Sequence, residues 1–184
     1  LGDGLRSFLP PRSGAAARPR LLSLLESPTA AGPADLGRAL REVAPRLPRR
    51  GLVLLASDFF PALEGWMPVL REWAARGREI IAFQILDPME LNLAGRGVLE
   101  FKDLETDLRL AVDVDGVARR FARLAADRQR RLSEAFAALG ADFQTFRTDR
   151  PLDAALVHTS ANGRPGVTFL SPGFLWLAPA ALVP

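Results

Sequence analysis

Cysteine and tyrosine are both absent from this chain of 184 residues. Without cysteine there are no disulfides, no thiolate metal sites and no sulfur nucleophile. Only one histidine is present, His158. A nucleophile–base–orienter arrangement therefore has few parts to draw on. Lysine is down to one residue, so 23 of the 24 cations are arginine. Arginine keeps its proton at any relevant pH, which explains a sequence pI near 10.7 beside a formal charge of only +3. The doublets Arg49-Arg50, Arg119-Arg120 and Arg130-Arg131 are scattered among 21 carboxylates. A basic stripe interleaved with aromatics is missing, and no nucleic-acid partner is expected. No signal peptide is visible.

What remains is ample for a core. Apolar residues make up 48% of the chain, and the length suits one domain with little room for a second. Gly2-Asp3-Gly4 already reads as a turn inside a fold, so an N-terminal portion is expected to precede Leu1.

Leu5 to Leu9 alternates and closes on Pro10-Pro11, which predicts an edge strand. Helices are predicted from Arg18 to Leu25 and, capped by Asp35, from Leu36 to Arg46. Gly51 to Ala56 is a continuous apolar run, as expected of a parallel strand buried on both faces, with Ser57-Asp58 at its end. A helix over 63–76 turns Leu63, Trp66, Met67, Leu70 and Trp73 inward, with Pro68 near its first turns. Glu79 to Leu86 is the next buried strand, ending in Asp87-Pro88. Gly97–Phe101 and Leu108–Val112 predict a hairpin. A helix over 116–139 carries one stripe of Val117, Phe121, Leu124, Leu132, Ala135, Phe136 and Leu139, and Gly140 caps it. A strand over 142–147 and a short helix from Pro151 follow. The rhythm is α/β: a Rossmann-like, mostly parallel, doubly wound sheet with flanking helices and an inserted hairpin. The domain spans 1–158, a linker 159–166, and an apolar tail 167–184.

Ligands of open parallel sheets gather at C-terminal strand ends where strand order reverses. Asp58 and Asp87 stand at two such ends, and Asp35 opens a helix within reach of the same edge. Three carboxylates on one rim suit a hard cation such as Mg²⁺. The same residues also suit a helix cap, a turn and the position before a proline. Ser57 and Asp58, neighbours along a strand, are expected to point to opposite faces. His158 reads as a surface residue and the Trp66–Trp73 pair as core. No catalytic or cofactor-binding residue is assigned; the enzymatic alternative is a small hydrolase using Asp58 and Asp87.

Asp35-Leu36 with Ala39-Leu40 comes first, followed by Arg49-Arg50-Gly51 through Ser57-Asp58-Phe59. Gln84-Ile85-Leu86-Asp87-Pro88-Met89-Glu90, Asp103-Leu104-Glu105-Thr106 and Thr148-Asp149-Arg150-Pro151-Leu152 come after them. In that order, over residues 1–158, these motifs resemble the bacterial domain-of-unknown-function family 58. The resemblance implies a von Willebrand factor A-like fold, here without its first two strands. It implies a non-enzymatic protein-interaction module acting with a MoxR-type AAA ATPase in complex assembly or chaperone-like maturation of a client protein. It also implies a metal-ion-dependent adhesion site, built from an Asp-x-Ser-x-Ser loop, a Thr and an Asp after the fourth strand. Asp58 matches that last Asp, Ala34 beside Asp35 stands at the Thr position, and the loop is not in this chain. The implied site is degenerate: Asp58 and Asp35 are its metal candidates, Mg²⁺ belongs to a full-length form, and no cofactor is expected here. Asp35, Asp58 and Asp87 form the expected protein-binding rim.

The tail from Val167 to Pro184 is similar to the N-terminal membrane segment of BatA-type aerotolerance proteins. Its 18 residues, broken by Pro172, Pro179 and Pro184, fall short of the roughly 20 a span needs. A cytoplasmic location with membrane contact through 167–184 is the expectation. The alternative is a membrane-anchored subunit of an aerotolerance-type complex. With no first strand beside it, the strand at 51–57 is expected to lie at an edge and to favour self-association.

Overall fold

The computed structural model describes residues 5, 7–10, 17–26, 35–102 and 109–150. Three parallel strands form the main sheet in the order β1 (Gly51–Ser57), β2 (Arg78–Leu86) and β5 (Asp142–Arg147). Ser57 pairs with Gln84, Gln84 with Thr145, and Leu86 with Arg147. That register lines up the C-terminal ends of all three strands on one lip.

The helices are α1 (Ala17–Glu26), α2 (Leu36–Val43), α3 (Leu63–Ala75), the single turn α4 (Pro88–Leu91) and α5 (Val114–Leu139). Between α4 and α5 comes an antiparallel hairpin of β3 (Val98–Lys102) and β4 (Arg109–Asp113). Strand order follows the chain without reversal, and right-handed crossovers repeated in one direction bring the crossover helices α3 and α5 to the same face, where α2 also packs. Leu36 and Leu40 of α2, Trp66 and Trp73 of α3, and Leu132 and Phe136 of α5 accordingly share one core with Val53, Leu55, Ile80 and Ala82. This departs from the doubly wound expectation: among the described residues there is no reversal point, and the three long packed helices lie together. The β1 strand, expected to be buried on both faces, is buried on one. On the other face Leu52, Leu54, Ala56 and Phe83 are half-buried and Ile85 is exposed, while Ile81 of β2 and Phe146 of β5 are buried.

Local departures have local causes. The predicted strand at 5–9 is irregular wherever described, because the Leu5 N–H donates to Glu42 Oε2 at 2.7 Å rather than to a neighbouring strand. The helix expected to reach Arg46 tightens into a 3₁₀ turn at Ala44–Arg46, where Pro45 has no N–H to continue the α pattern. Pro68 lies inside α3 with its ring exposed. Trp66 and Trp73 are core residues, as expected.

The stripe predicted on α5 divides in two. A helix of 26 residues is about 39 Å long, whereas a strand of six is about 20 Å. The excess runs past the sheet. Leu132 and Phe136 are buried on the sheet side, while Val117 and Leu124 stay exposed on the overhang, where the hairpin packs. The hairpin tip at 103–108, Ala34, His158, the helix predicted from Pro151, the linker and the tail lie outside the described residues.

Candidate functional site

Where β1 ends, the chain turns sharply. Phe59 has a φ of 55°, a left-handed conformation that bulky side chains avoid and that costs about 1–3 kcal/mol. Four contacts hold it there. The Phe59 N–H donates to Ser57 Oγ at 3.0 Å, and the Phe60 N–H to Asp58 Oδ1 at 2.8 Å. The Phe59 carbonyl accepts from Arg128 Nη2. Its ring, 1% exposed, packs at 5.2 Å from Trp66 and 5.4 Å from Phe136 between centroids. Full burial of such a ring is worth about 1.5–3 kcal/mol, enough to offset the strain. Ser57 and Asp58, expected on opposite faces, approach to 3.4 Å because the strand stops between them.

The turn presents Phe60, 53% exposed, with the Arg128 guanidinium 4.1 Å from its ring centre. Arg128 also faces two carboxylates, Asp58 and Glu90. Burial pushes the Asp58 carboxyl above its ordinary value, opposed by the Phe60 N–H and by Arg128. Burial likewise raises Glu90; the Asp87 N–H opposes this, while the charges of Asp58 and Asp87 add to it. Burial lowers Arg128, and the two carboxylates act against that.

Beneath the turn a polar ladder crosses the whole sheet. Fully buried Gln84 donates from Nε2 to the Asp58 carbonyl at 3.0 Å and accepts from Thr145 Oγ1 at 3.2 Å. Thr145 Oγ1 in turn accepts from Gln129 Nε2 of α5 at 3.0 Å. An unpaired amide there would carry a heavy desolvation cost, so the ladder ties the lip's three strands and α5 into one unit.

The structure brings Asp58 and Asp87 onto one lip, linked through Glu90. The Asp87 carboxylate accepts from the Met89 N–H at 2.8 Å and from Thr148 Oγ1 at 3.3 Å, and Glu90 closes the capping box by accepting from the Asp87 N–H. Asp35 stays on α2 and caps it, accepting from the Arg38 N–H at 2.8 Å. Reading the sequence gives no site role to Arg128 or Phe60, and names Gln84 and Glu90 only as members of a family motif. Two of them left a signal: Arg128 falls four residues from both Leu124 and Leu132 in an apolar stripe, and Gln84 interrupts an apolar strand.

Mg²⁺ needs several hard oxygens around it. The described rim offers the carboxylates of Asp58, Asp87 and Glu90, each already accepting a backbone N–H, with Arg128 as the cation beside Asp58 and Glu90. Among the described residues, no group of three or more His, Cys, Asp or Glu is placed to hold a metal ion.

A family model described as "Protein of unknown function DUF58" matches residues 1–131. An uncharacterized protein of Mycobacterium tuberculosis is 34% identical over 119 residues, covering 64% of this chain and 37% of that protein. The chain thus spans little more than a third of that relative. An uncharacterized protein of Mycobacterium avium is 31% identical over 133 residues, covering 72% of this chain and 78% of that one. Among solved structures, the conserved hypothetical protein BatB from Bacteroides thetaiotaomicron overlaps with a TM-score of 0.40 at 12% identity. That overlap covers 74% of this chain and 63% of that one, and is too low to carry an argument.

Proposed function

The chain belongs to the DUF58 family, and from that premise we propose that it is a non-enzymatic protein-interaction module of von Willebrand factor A-like design. It binds its partner proteins, a MoxR-type AAA ATPase and a client protein, through its strand-end lip, and needs no cofactor held by this chain. The observation that carries this reading is the strained turn at Phe59, which holds Phe60 out toward solvent under the Arg128 guanidinium. Exposed aromatic and arginine side chains on a rigid support are the residues that dominate protein–protein binding energies. The carboxylates around them, Asp58, Glu90 and Asp87, each accept a backbone N–H. That use suits a positioned surface better than a reacting acid–base pair. The ATPase partnership is supported by the family resemblance alone. Among the described residues no helix is long and apolar enough to cross a membrane.

Calorimetric titration of the chain with the MoxR-type ATPase of its own genome tests the reading. Phe60→Ser and Arg128→Glu are each expected to weaken binding by about tenfold or more, as loss of a hot-spot residue does. Unchanged affinity in both variants would remove the lip from the interface.

A further inference from the structure

A second surface lies away from the lip, on the overhang of α5. Phe101, Leu110 and Val112 of the hairpin and Val117, Phe121 and Leu124 of the helix wall a cleft of about 330 Å³. Strand register explains the hairpin side. Phe101 pairs with Leu110 and Leu99 with Val112, so these four share one face, while the Glu100–Arg109 ion pair sits on the other. The cleft surface is apolar throughout, Arg120 contributing only carbon. Leu110 and Leu124 are each 60% exposed. Side chains of that size left open in a contiguous groove mark an interaction site rather than a scattered surface residue.

The helix also supplies a charged margin. Arg123 stands one turn beyond Arg120, and Arg131 two turns beyond Leu124, so both flank the groove side of α5. Asp127, on the same margin four residues beyond Arg123, and Glu134 are both paired with Arg130, and Asp115 near the helix start accepts from the Gly97 N–H. Among the described residues no carboxylate is paired with Arg120, Arg123 or Arg131. An apolar slot beside cations that have no carboxylate partner among the described residues calls for an occupant with the opposite charge and matching shape. The tail at 167–184 has no charged residue and leaves the arginines unanswered. We propose that the groove between the β3–β4 hairpin and α5 docks an amphipathic helix of a partner protein, its apolar stripe in the slot and its flanking carboxylates on Arg120, Arg123 and Arg131. This goes beyond the lip reading and uses a different surface. Helix-in-groove recognition works through anchors spaced i, i+3/i+4 and i+7, and the charged flank sets partner choice.

The test uses the full chain and three labelled synthetic helical peptides, read by fluorescence anisotropy. The first has leucines at that spacing with glutamates on its flanks. The second replaces the glutamates by lysines, and the third replaces the leucines by serines. The acidic leucine peptide is expected to bind, and each of the others about tenfold more weakly or worse. Leu124→Asp, and separately Arg120→Glu with Arg123→Glu, are expected to cost about as much without moving the melting temperature, because these side chains carry little of the core. Phe60→Ser should leave this binding unchanged, which separates a failure here from a failure of the lip. Equal binding of the acidic and basic peptides, or no binding at all, overturns the proposal. So does a rise in acrylamide quenching of Trp176 fluorescence in Leu124→Asp. Trp66 and Trp73 are buried, so that rise would mean the chain's own tail fills the slot.

Discussion

Arg128 joins two parts of the chain that lie 69 residues apart: its guanidinium donates to the Phe59 carbonyl and covers the Phe60 ring. It also stands between two half-buried carboxylates, Asp58 and Glu90. Arg128→Ala removes a charge-assisted bond and leaves both acids facing each other, at an expected cost of about 1.5–3 kcal/mol in urea unfolding. A loss below about 0.5 kcal/mol, the range of ordinary surface changes, would mean that solvent already satisfies these groups. Glu42 makes a different kind of link. The Leu5 N–H, and then the Arg38 guanidinium, hold its carboxyl below the usual glutamate range. A carboxyl with a folded-state pKa below its unfolded value adds stability above the unfolded pKa, and that contribution disappears as pH falls through the folded one. Glu42→Gln should therefore lower the melting temperature at neutral pH and converge with the wild type in acid. A gap that is the same at every pH would contradict the assignment.

At the scale of elements, the approach of α2 to α3 depends on one missing side chain. A Cβ on Gly37 would sit 2.2 Å from the Gly65 carbonyl oxygen, closer than any side chain tolerates, whereas a Cβ on Gly65 would meet nothing within 4 Å. The two glycines should therefore respond with opposite signs. Gly37→Ala forces the helices apart at an expected cost of about 1–3 kcal/mol or more. Gly65→Ala, on an exposed helix position, should gain up to about 1 kcal/mol from reduced backbone freedom in the unfolded chain. Chemical denaturation of both variants checks this, and a neutral Gly37→Ala would show that the helices are not in contact in solution. Element lengths have consequences of their own. Because α5 outruns the strand that follows it, one amphipathic stripe serves two purposes: Leu132 and Phe136 close the core, and Val117 and Leu124 are left for the hairpin and the groove.

At the scale of the molecule, the sheet has an open side among the described residues. Among the described residues β1 pairs with β2 alone, so the other backbone edge of an apolar strand, with Leu52 and Leu54 half-buried, has no neighbour. Such an edge is a template for another strand. The chain is expected to self-associate as its concentration rises in sedimentation velocity runs. Leu54→Lys, placing a charge on that edge strand, should suppress the effect. A monodisperse wild-type chain across the concentration range would show that the edge is covered.

Periodicity along the sequence was enough to find β1, α3, β2, the hairpin, α5 and β5, because hydrophobic spacing is set by the local geometry of each element. It was also enough to name Asp58 and Asp87 as strand-end residues, since a polar pair closing an apolar run marks a strand end wherever it packs. Spacing could not say which elements share a face. That depends on strand order, and order 1-2-5 without reversal brought α2, α3 and α5 together and left β1 buried on one side. Nor could spacing reveal that Arg128 belongs to the turn at Phe59, or that Gln84 and Thr145 meet across 61 positions. Those contacts form only when distant segments are brought side by side, and the energy that selects them, burial of polar groups with partners, has no counterpart in a local stretch of chain.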